Sequence, residues 1–382
     1  MHDSFGIYVH VPFCAKRCWY CDFYTVARDG ALPHREYLAA LISQLDKDVM
    51  TFNLSQRELS TLFFGGGTPS LMPASFFDQL LEALSQHFSF STDLEVTAEV
   101  NPATVGPDWF RDVRGAGVTR ISMGVQSFND RLLKRLGRNH TASEAIRAIS
   151  EAKATGFKSV SCDLMFANPE ESDADLESDI QTASLLKPDH ISAYQLTLGE
   201  HKIRAQNAFV PEEVQLDQMR ITSDLLERSG WKRYEISNFA TPGHECRHNM
   251  LYWRYGNYLG LGTGASSFLK NPQHERKEES FGRRFTCIRN IDKYIGGSRA
   301  MEEEEVITLR TAMGEFCFLG LRTTEGISSA HFAELFGVEL PSIFEAELQE
   351  LISKRMMRAT IEGYALTERG FELSNQIAAK FV

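Results

Sequence analysis

In the first two thirds of the chain, short apolar runs alternate with longer amphipathic segments. Each run is rich in β-branched or aromatic residues and ends in a polar or glycine turn, which is typical of a buried strand. The segment that follows repeats its apolar positions with the period of a surface helix. The pattern predicts six strands, which are Phe5–Val11, Leu59–Phe64, Leu94–Val100, Arg120–Val125, Ser159–Phe166 and His190–Leu196.

Six helices are predicted between and after those strands. Parallel strands joined by right-handed helical crossovers build either an open doubly wound sheet or a complete or partial barrel. Both architectures bind ligands at the C-terminal ends of their strands, so we expect the chemistry there. The predicted helices are Arg35–Thr51, Ser75–His87, Asp108–Arg114, Ala142–Thr155, Asp173–Leu186 and Val214–Ser229.

The pattern changes after a seventh apolar run, Arg233–Phe239. A polar and aromatic stretch follows it, and then the charged segment KNPQHERKEESFGRR, which has no clear period and indicates a surface excursion or the approach to a linker. Beyond Glu302–Glu305 the sequence predicts three helices, Val306–Leu319, Ser328–Phe336 and Pro341–Lys354, and then two short strands around a glycine turn. These elements predict a winged-helix-like α+β module.

Composition is that of a globular protein. Hydrophobic residues make up 43% of the 382 residues and charged residues 24%, and no apolar run reaches the length of a bilayer span. The first residues carry neither the basic start nor the cleavage site of a signal peptide, so we expect a cytoplasmic protein. The net charge of −11 argues against a nucleic acid partner, which would require a basic surface.

Three of the seven cysteines, Cys14, Cys18 and Cys21, lie in CAKRCWYC directly after the first predicted strand. An odd number of cysteines in a long chain is not typical of a disulfide framework. A zinc site would need a second ligand pair, and none follows at the usual spacing. An iron–sulfur cluster normally takes four thiolates, so three imply either a distant fourth cysteine or an iron left open to a ligand. Structural cysteines are the plainer alternative, although Lys16 and Arg17 make the loop electropositive and so favour thiolates.

The segment YVHVPFCAKRCWYCDF resembles the cluster loop of the radical S-adenosylmethionine (SAM) superfamily. The closest resemblance is to the branch that contains oxygen-independent coproporphyrinogen III oxidases and HemW-type heme chaperones. It implies that the three cysteines are metal ligands of a [4Fe-4S] cluster whose fourth iron is chelated by SAM, which is then cleaved reductively to a 5′-deoxyadenosyl radical. It also implies a partial (β/α)6 radical SAM barrel over residues 1–240, a heme-motif segment and linker over 241–300, and the winged-helix-like domain over 301–382.

The resemblance further implies SAM contacts near the ends of the predicted strands. TLFFGGGTPS matches the segment that receives the methionine part of SAM, although alone it would be an ordinary glycine turn. Each polar residue in the other segments could by itself be a satisfied strand-end group. Where the family has a GLP-like turn, this chain has Ala167-Asn168-Pro169, which restricts the backbone. The implied SAM-binding residues are Tyr8, Gly66, Gly67, Thr68, Glu99, Gln126, Arg138 and Asp163.

Two features favour the chaperone branch over the oxidases. Phe23 occupies a position where the oxidases usually carry another cysteine, and their longer N-terminal extension is not seen. ECRHNMLYW resembles the HNxxYW motif that is associated with heme binding in HemW-like proteins. The residue types suit that role, since an imidazole can ligate heme iron and aromatic rings can cover the porphyrin face. Cys246 is an alternative ligand, and packing of the motif in a polar loop is the plainer alternative. The implied heme-binding residues are His248, Asn249, Tyr252 and Trp253.

The sequence therefore predicts a radical SAM heme chaperone that binds heme, a [4Fe-4S] cluster and SAM and passes heme to acceptors such as respiratory enzymes. The alternative is an oxidative decarboxylase of coproporphyrinogen III in porphyrin biosynthesis, and a third is a scaffold that never cleaves SAM. We also expect an electron donor, and the resemblance allows for a homodimer and a peripheral membrane contact. Ser266 stands where relatives tend to have a histidine, and Cys162, Cys287 and Cys317 are expected in the core.

Overall fold

The protein is described by a computed structural model over residues 5–28, 30–297 and 301–382. Six parallel strands lie side by side in chain order, as predicted. The second and third begin earlier than predicted, because Ser89 pairs with Glu58 ahead of their apolar runs. The strands are β1 (Phe5–Val11), β2 (Glu58–Gly66), β3 (Ser89–Val100), β4 (Arg120–Gln126), β5 (Ser159–Phe166) and β6 (His190–Gln195).

The six predicted helices are confirmed within three residues at each end. Ala142–Thr155 and Asp173–Leu186 match the prediction at both ends, because capping boxes at Thr141 and Ser172 begin them. Two short helices, Asp130–Leu136 and Glu200–Gln206, were not predicted. The other helices of this part are His34–Thr51, Ala74–Ser85, Pro107–Gly115 and Glu212–Arg228, with 3₁₀ turns at Pro69–Leu71, Pro102–Thr104 and Gln273–Glu275.

Side chains of the parallel strands alternate between an apolar outer face and a polar inner face. Ile7, Phe64 and Ile121 belong to the large core cluster that includes residues of the surrounding helices. The alternate positions point to the inside of the curved sheet, which is therefore lined by polar groups. Residues on this inner face include Tyr8, His10, Thr61, Glu95, Thr97, Glu99, Arg120, Ser122, Ser161, Asp163 and His190.

The segment 241–300, predicted as a motif segment and linker, instead extends the sheet, so its interpretation as a linker is wrong. Strand β7 (Asn257–Leu261) pairs in parallel with β1, and β8 (Ser266–Lys270), β9 (Gly282–Cys287) and β10 (Met301–Ile307) follow antiparallel. These strands were not predicted from the sequence, because the charged segment around them has no clear period and only one face of β9 is apolar.

Strand β10 also corrects the prediction that helices begin directly after Glu302–Glu305. Its glutamates lie on an edge strand, where charge opposes pairing with another chain. Arg284 on β9 contacts Glu305 at 2.9 Å, and the helix begins only at Leu309, capped by Thr308. At the other edge of the sheet, the run Arg233–Phe239 forms two short antiparallel strands, Lys232–Arg233 and Asn238–Ala240, instead of one.

The C-terminal module has the predicted winged-helix-like arrangement. Its core is continuous with Tyr255, Phe268 and Phe281 from the sheet extension. None of the helices in the described ranges has both the length and the apolar character that a bilayer crossing requires. The module consists of helices Leu309–Gly320, Ser329–Phe336, Leu340–Ser353, Glu368–Glu372 and Ser374–Ala378, and of strands Ile327–Ser328, Met357–Ala359 and Gly363–Leu366.

Candidate cofactor site

The three predicted metal ligands lie in a loop between β1 and helix His34–Thr51. The short strand Phe13–Cys14 pairs in parallel with Val26–Ala27, which closes the loop at its base. Cys14 is buried, whereas Cys18 and Cys21 are partly exposed, and the Cys21 backbone N–H donates to the Cys18 carbonyl at 3.2 Å. The loop therefore has a defined backbone conformation that presents its cysteines at the C-terminal end of β1.

The two helices that were not predicted hold this loop in place. Trp19 donates its indole N–H to the carbonyl of Arg135 at 2.9 Å, at the end of helix Asp130–Leu136. Lys202, on helix Glu200–Gln206, donates to the carbonyls of Tyr20 and Cys21 at 3.1 and 3.2 Å. Both helices are short. Asp130–Leu136 buries its three leucines, whereas Glu200–Gln206 buries no residue, so its contact with the loop is what indicates its role.

Two side chains from the barrel donate to cysteine sulfurs. Thr68 Oγ1 lies 3.5 Å from Cys14 Sγ, and the Arg138 guanidinium lies 3.8 Å from Cys18 Sγ. Burial raises the pKa of the Cys14 thiol and the Thr68 hydroxyl opposes that rise. Burial likewise raises the pKa of Cys21, and the Phe23 backbone N–H opposes it. Donors of this kind stabilise thiolate sulfur, which is the form that binds iron.

The donor set fits an iron–sulfur cluster better than a single ion. Within the described ranges, no three His, Cys, Asp or Glu side chains converge closely enough to hold one metal ion. A cluster distributes its thiolates over several irons, so its ligands need not converge on one point. Cys162, Cys287 and Cys317 are buried in the apolar cores, as expected, and Cys246 is buried at the start of helix Arg247–Trp253, which leaves the loop with three cysteines.

The glycines after β2 allow its end to contact the cluster loop. Gly66 has φ +106°, and a Cβ at this position would lie 2.4 Å from the His10 ring. A Cβ on Gly67 would lie 2.6 Å from the Phe13 carbonyl oxygen, and the Gly67 N–H donates to Val11 at 2.8 Å. Any side chain would thus separate the two segments, which is the physical requirement for glycine here.

Glu99 and Tyr8 face each other across the end of β2. The Glu99 carboxylate accepts the Gly66 backbone N–H at 3.0 Å. Burial, followed by the nearby Asp163, raises the pKa of Glu99 to about 7. His10 donates from Nε2 to the Tyr24 carbonyl at 2.8 Å, so its Nδ1 accepts the Tyr8 hydroxyl at 3.1 Å.

Arg138 and Gln126 lie at the end of β4. Arg138 donates to the Gly124 carbonyl at 2.6 Å and thereby connects β4 to the cluster loop. Gln126 has φ +72°, a left-handed conformation that costs an L-residue about 1–2 kcal/mol. A Cβ on Gly124 would lie 3.2 Å from Gln126 Nε2, so the Gln126 side chain lies over the strand end. Strain of this kind often marks a functional position.

Asp163, on β5, is surrounded by serine hydroxyls. Ser122 donates to its two carboxylate oxygens at 3.1 and 3.2 Å, and Ser161 donates to one at 3.1 Å. Burial raises the pKa of Asp163, and the serine hydrogen bonds oppose the rise. Ser192, on the next strand, also hydrogen-bonds this carboxylate. Sequence reasoning missed all three serines, although the hydroxyls within the otherwise apolar runs ISMG, SVSCD and HISAY were a usable signal.

The barrel interior has an open half and a closed half. At the C-terminal strand ends, Tyr8, Glu99, Gln126 and Asp163 are partly exposed and Tyr194 is 41% exposed, and we call the space that they line the chamber. The closed half lies toward the N-terminal strand ends and is fully buried. Its lining includes Thr97, Arg120, His190 and His248. All the predicted SAM-binding residues with polar side chains lie in the chamber or beside the cluster loop.

The turn that departs from the family pattern forms without glycine. Ala167 has φ +57°, and its N–H donates to the buried Gln218 side chain at 2.9 Å. Asn168 donates from its side chain to the Met165 carbonyl at 2.8 Å and from its backbone to Glu171 at 2.9 Å. The turn therefore keeps a conformation that favours glycine.

We expect Ala167→Gly to leave the stability nearly unchanged. Relief of the left-handed strain contributes about 1–2 kcal/mol, the greater freedom of glycine in the unfolded chain removes about 0.4–1 kcal/mol, and loss of the buried Ala167 methyl removes about 0.8 kcal/mol. The urea midpoint of the cluster-free protein should therefore stay close to that of the wild type. The matched control is Ala39→Gly, on an exposed helical position, which should lose about 1 kcal/mol. A loss for Ala167→Gly as large as that for Ala39→Gly would contradict the strain argument.

The HNxxYW motif lies at the closed end of the barrel, on helix Arg247–Trp253. His248 is buried, and both ring nitrogens are engaged: Nδ1 lies 2.8 Å from Thr61 Oγ1, and Nε2 lies 2.8 Å from the Tyr252 hydroxyl. Its ring stacks on Phe63 at 5.2 Å. Burial, followed by the Arg120 charge, lowers the pKa of His248 to about 3, so the imidazole is neutral.

The other motif residues pack around this histidine. Asn249 is partly buried, and Trp253 lies under the Arg322 guanidinium of the C-terminal module at 4.6 Å. Glu95 accepts the backbone N–H of His248 at 3.1 Å and so holds the start of the helix. Burial raises the pKa of Cys246 to about 12, which disfavours it as a thiolate ligand of heme. The motif therefore closes the barrel end opposite the cluster loop.

Ser266 lies outside both sites. Its hydroxyl is 2.9 Å from Thr286 Oγ1, across the pair formed by β8 and β9. A hydrogen bond between neighbouring strands is a sufficient structural role for this residue.

Two protein-family models and several known proteins match this chain. Residues 8–183 match the model of the radical SAM superfamily, and residues 307–373 match that of the HemN C-terminal domain. The heme chaperone HemW of Haemophilus influenzae is 33% identical over 99% of this chain and 97% of its own length. The heme chaperone HemW of Escherichia coli is 34% identical, over 99% and 98%. The alignments thus include the barrel, the motif segment and the C-terminal module.

Among solved structures, the chain is similar to the radical SAM enzyme coproporphyrinogen III oxidase (HemN) from Escherichia coli. The TM-score is 0.82 at 21% identity, and the match covers 100% of this chain and 90% of the other. The predicted fold class, an α/β partial barrel followed by a winged-helix-like module, is confirmed by this likeness. At this level of identity it concerns the fold alone.

Proposed function

Because the chain belongs to the HemW heme chaperone family of the radical SAM superfamily, we propose that it binds heme, a [4Fe-4S] cluster and SAM and delivers heme to acceptor proteins such as respiratory enzymes. The observation that supports this most directly is the cluster loop, whose three cysteines receive donors from Thr68 and Arg138 and have no fourth cysteine beside them among the residues that the structure describes. A cytoplasmic location, an electron donor, a homodimer and a peripheral membrane contact stay predictions.

Cys14, Cys18 and Cys21 would hold the cluster, and the iron without a protein ligand would be open to SAM. The cluster supplies one-electron chemistry when it is bound. The chain contributes hydrogen-bond donors toward the sulfurs and a buried position for Cys14, which limits access of water. Lys202 and Trp19 fix the loop on which the ligands stand.

The chamber would hold SAM beside the cluster. Thr68 and the glycines before it lie against Cys14, which suits the methionine end of the ligand. Glu99, at the end of the next strand, offers a carboxylate to a cationic group of SAM, and Arg138 and Gln126 border the same space. Asp163 lies two strands farther, which suits the ribose side.

Heme does not fit the motif in the conformation described here, since His248 has no free ring nitrogen. Ligation by His248 would require the Tyr252 contact to break and the motif helix to move outward. We therefore propose His248 as the heme ligand only for such an opened state, with Asn249, Tyr252 and Trp253 as its surroundings.

The proposed function is tested by loading the reconstituted protein with heme and mixing it with the apo form of a b-type cytochrome. We expect the absorption of the acceptor's heme to appear and that of the chaperone to fall. The alternative function is tested in parallel by mass spectrometry of coproporphyrinogen III after anaerobic incubation with SAM and a reductant. Loss of the elements of formic acid from that substrate, without heme transfer, would replace the chaperone by the decarboxylase.

We expect SAM binding to weaken below pH 7. Glu99 faces Tyr8, Asp163 and Arg120, and its raised pKa means that it is protonated in the empty chamber at low pH. A cationic ligand binds better to the ionised form of Glu99. Below pH 7 Glu99 must therefore release a proton when SAM binds, whereas above pH 7 it is already ionised. The Kd should therefore rise up to about tenfold per pH unit below 7 and level off above it.

Calorimetric titration of the anaerobically reconstituted protein from pH 6 to pH 8 measures this dependence. Glu99→Gln cannot ionise, so its Kd should be weaker and nearly independent of pH. If the Kd of Glu99→Gln for SAM keeps the wild-type dependence on pH, the proton is released by a group other than Glu99.

A further inference from the structure

A continuous chain of hydrogen bonds runs from Asp163 through the closed half of the barrel to the motif helix. Ser161 Oγ donates to Asp163 Oδ1 at 3.1 Å and lies 2.9 Å from His190 Nδ1. His190 Nε2 lies 2.8 Å from the Tyr234 hydroxyl, which accepts the Cys246 backbone N–H at 3.2 Å. Ser161 and His190 are completely buried, so water does not compete for these bonds.

With Asp163 ionised, one arrangement of protons satisfies every member of the chain. The carboxylate can only accept, so Ser161 must give it its single hydroxyl proton. Ser161 Oγ must then accept, which requires His190 to carry its proton on Nδ1. Burial, followed by the Arg120 charge, lowers the pKa of His190, so the ring is neutral. Its Nε2 is therefore an acceptor for the Tyr234 hydroxyl.

All the donors in this chain point the same way, from Tyr234 toward Asp163. A hydrogen-bond chain with one direction strengthens each of its members, because every donor is polarised by the next. A carboxylate has about four acceptor positions, and Ser122, Ser161 and Ser192 each direct one hydroxyl toward Asp163, which uses three of them. Since Asp163 is partly exposed to the chamber, its remaining acceptor position is available there.

We propose that His190 and Tyr234 are positioning residues that hold Asp163 as a hydrogen-bond acceptor for a ribose hydroxyl of SAM. The proposal rests on the SAM site proposed above. The methionine end of SAM belongs beside Thr68 and Cys14, and Asp163 lies three strands away from that end. The hydroxyls of the ribose are the donors that SAM offers on this side.

A purely structural role for His190 makes a different prediction. Loss of a buried packing histidine would lower the stability of the fold and would weaken the binding of SAM and of its deoxy analogues by the same factor. Loss of a positioning residue would weaken the binding of SAM, which has the ribose hydroxyl, more than the binding of the analogue that lacks it. The ratio of the two dissociation constants therefore separates the roles.

The experiment measures Kd for SAM and for its 2′-deoxy and 3′-deoxy analogues with the cluster-loaded protein, by anaerobic calorimetry. A hydrogen bond to a charged group is worth about 1.5–3 kcal/mol, so one analogue should bind wild type about 10- to 100-fold more weakly than SAM. In both Tyr234→Phe and Ser161→Ala, this preference should fall to within about threefold. Tyr234→Phe removes the donor that fixes the His190 tautomer, and Ser161→Ala removes the hydroxyl that orients the Asp163 carboxylate.

The matched control is Ser159→Ala, on the same strand and the same face as Ser161. The Ser159 hydroxyl has no hydrogen-bond partner among the residues that the structure describes, so its removal should leave the preference unchanged. His190→Asn keeps an N–H near the position of Nδ1 and should retain more of the preference than His190→Leu.

The outcomes separate this inference from the SAM site itself. Wild-type preference in both Tyr234→Phe and Ser161→Ala would overturn the positioning role, even if His190→Leu fails to fold. A wild-type protein that carries its cluster and binds no SAM would overturn the proposed SAM site, and this inference with it.

Discussion

Cys14→Ser, Cys18→Ser and Cys21→Ser are each expected to abolish the [4Fe-4S] cluster. The loop offers three thiolates and the cluster needs all of them, because its fourth iron is already without a protein ligand. A serine hydroxyl is a much poorer ligand for iron than a thiolate. After anaerobic reconstitution, each variant should lack the brown iron–sulfur chromophore and bind less than about a tenth of the wild-type iron.

Cys317→Ala is the matched control for these variants. Cys317 is buried in the core of the C-terminal module, so its replacement changes packing and leaves the cluster loop intact. This variant should reconstitute to the wild-type iron content. If the chromophore survives every single replacement and disappears only in the triple variant, the three cysteines are not equal ligands and the loop has been misinterpreted.

The parallel strands could be predicted because their outer-face residues are apolar and each strand ends in a polar or glycine turn, which are local signals. Phe5–Val11 and Ser159–Phe166 have the predicted bounds. Strands β7 and β9 could not be predicted, since half of their side chains are polar or aromatic and their partners are far away in the chain. Sheet edges of this kind are defined by pairing and not by local pattern.

The residues of the candidate site likewise fall into those that local sequence could predict and those that depend on contacts distant in the chain. The cysteines and glycines were predicted because their spacing and their backbone requirements are local. The serines around Asp163 were missed although their hydroxyls stand out in the apolar runs, because the sequence alone does not show which acceptor they face across the sheet. His248 was assigned from its motif, but its burial beside Thr61 depends on a helix that inserts into the far end of the barrel.

The two proposed ligand sites therefore lie at opposite ends of one polar barrel interior. The chamber is partly exposed beside the cluster loop, whereas the motif seals the end near Glu95 and Thr61. Heme and SAM would then not share a cavity in this conformation. Heme ligation by His248 has to be tested against the contacts that now occupy its ring.

We expect Tyr252→Phe to strengthen heme binding and His248→Ala to abolish iron ligation at this motif. In the closed conformation the Tyr252 hydroxyl occupies His248 Nε2 at 2.8 Å, so heme iron and this hydroxyl compete for one nitrogen. Removal of a hydrogen bond worth about 1 kcal/mol should lower the heme Kd about fivefold. The Soret band and the Kd from heme titration report both effects.

His248→Ala also removes two hydrogen bonds and a buried ring, and we expect it to lose about 2–4 kcal/mol of stability. His248→Gln, which can keep a contact to Thr61 but ligates heme poorly, therefore serves as the second variant. Both variants should show the spectrum of unligated or weakly bound heme. A folded His248→Gln protein with wild-type Soret band and stoichiometry would exclude His248 as the ligand and leave the motif its packing role. An unchanged Kd in Tyr252→Phe would show that heme does not compete with the closed contact, and the opened state would then be unnecessary.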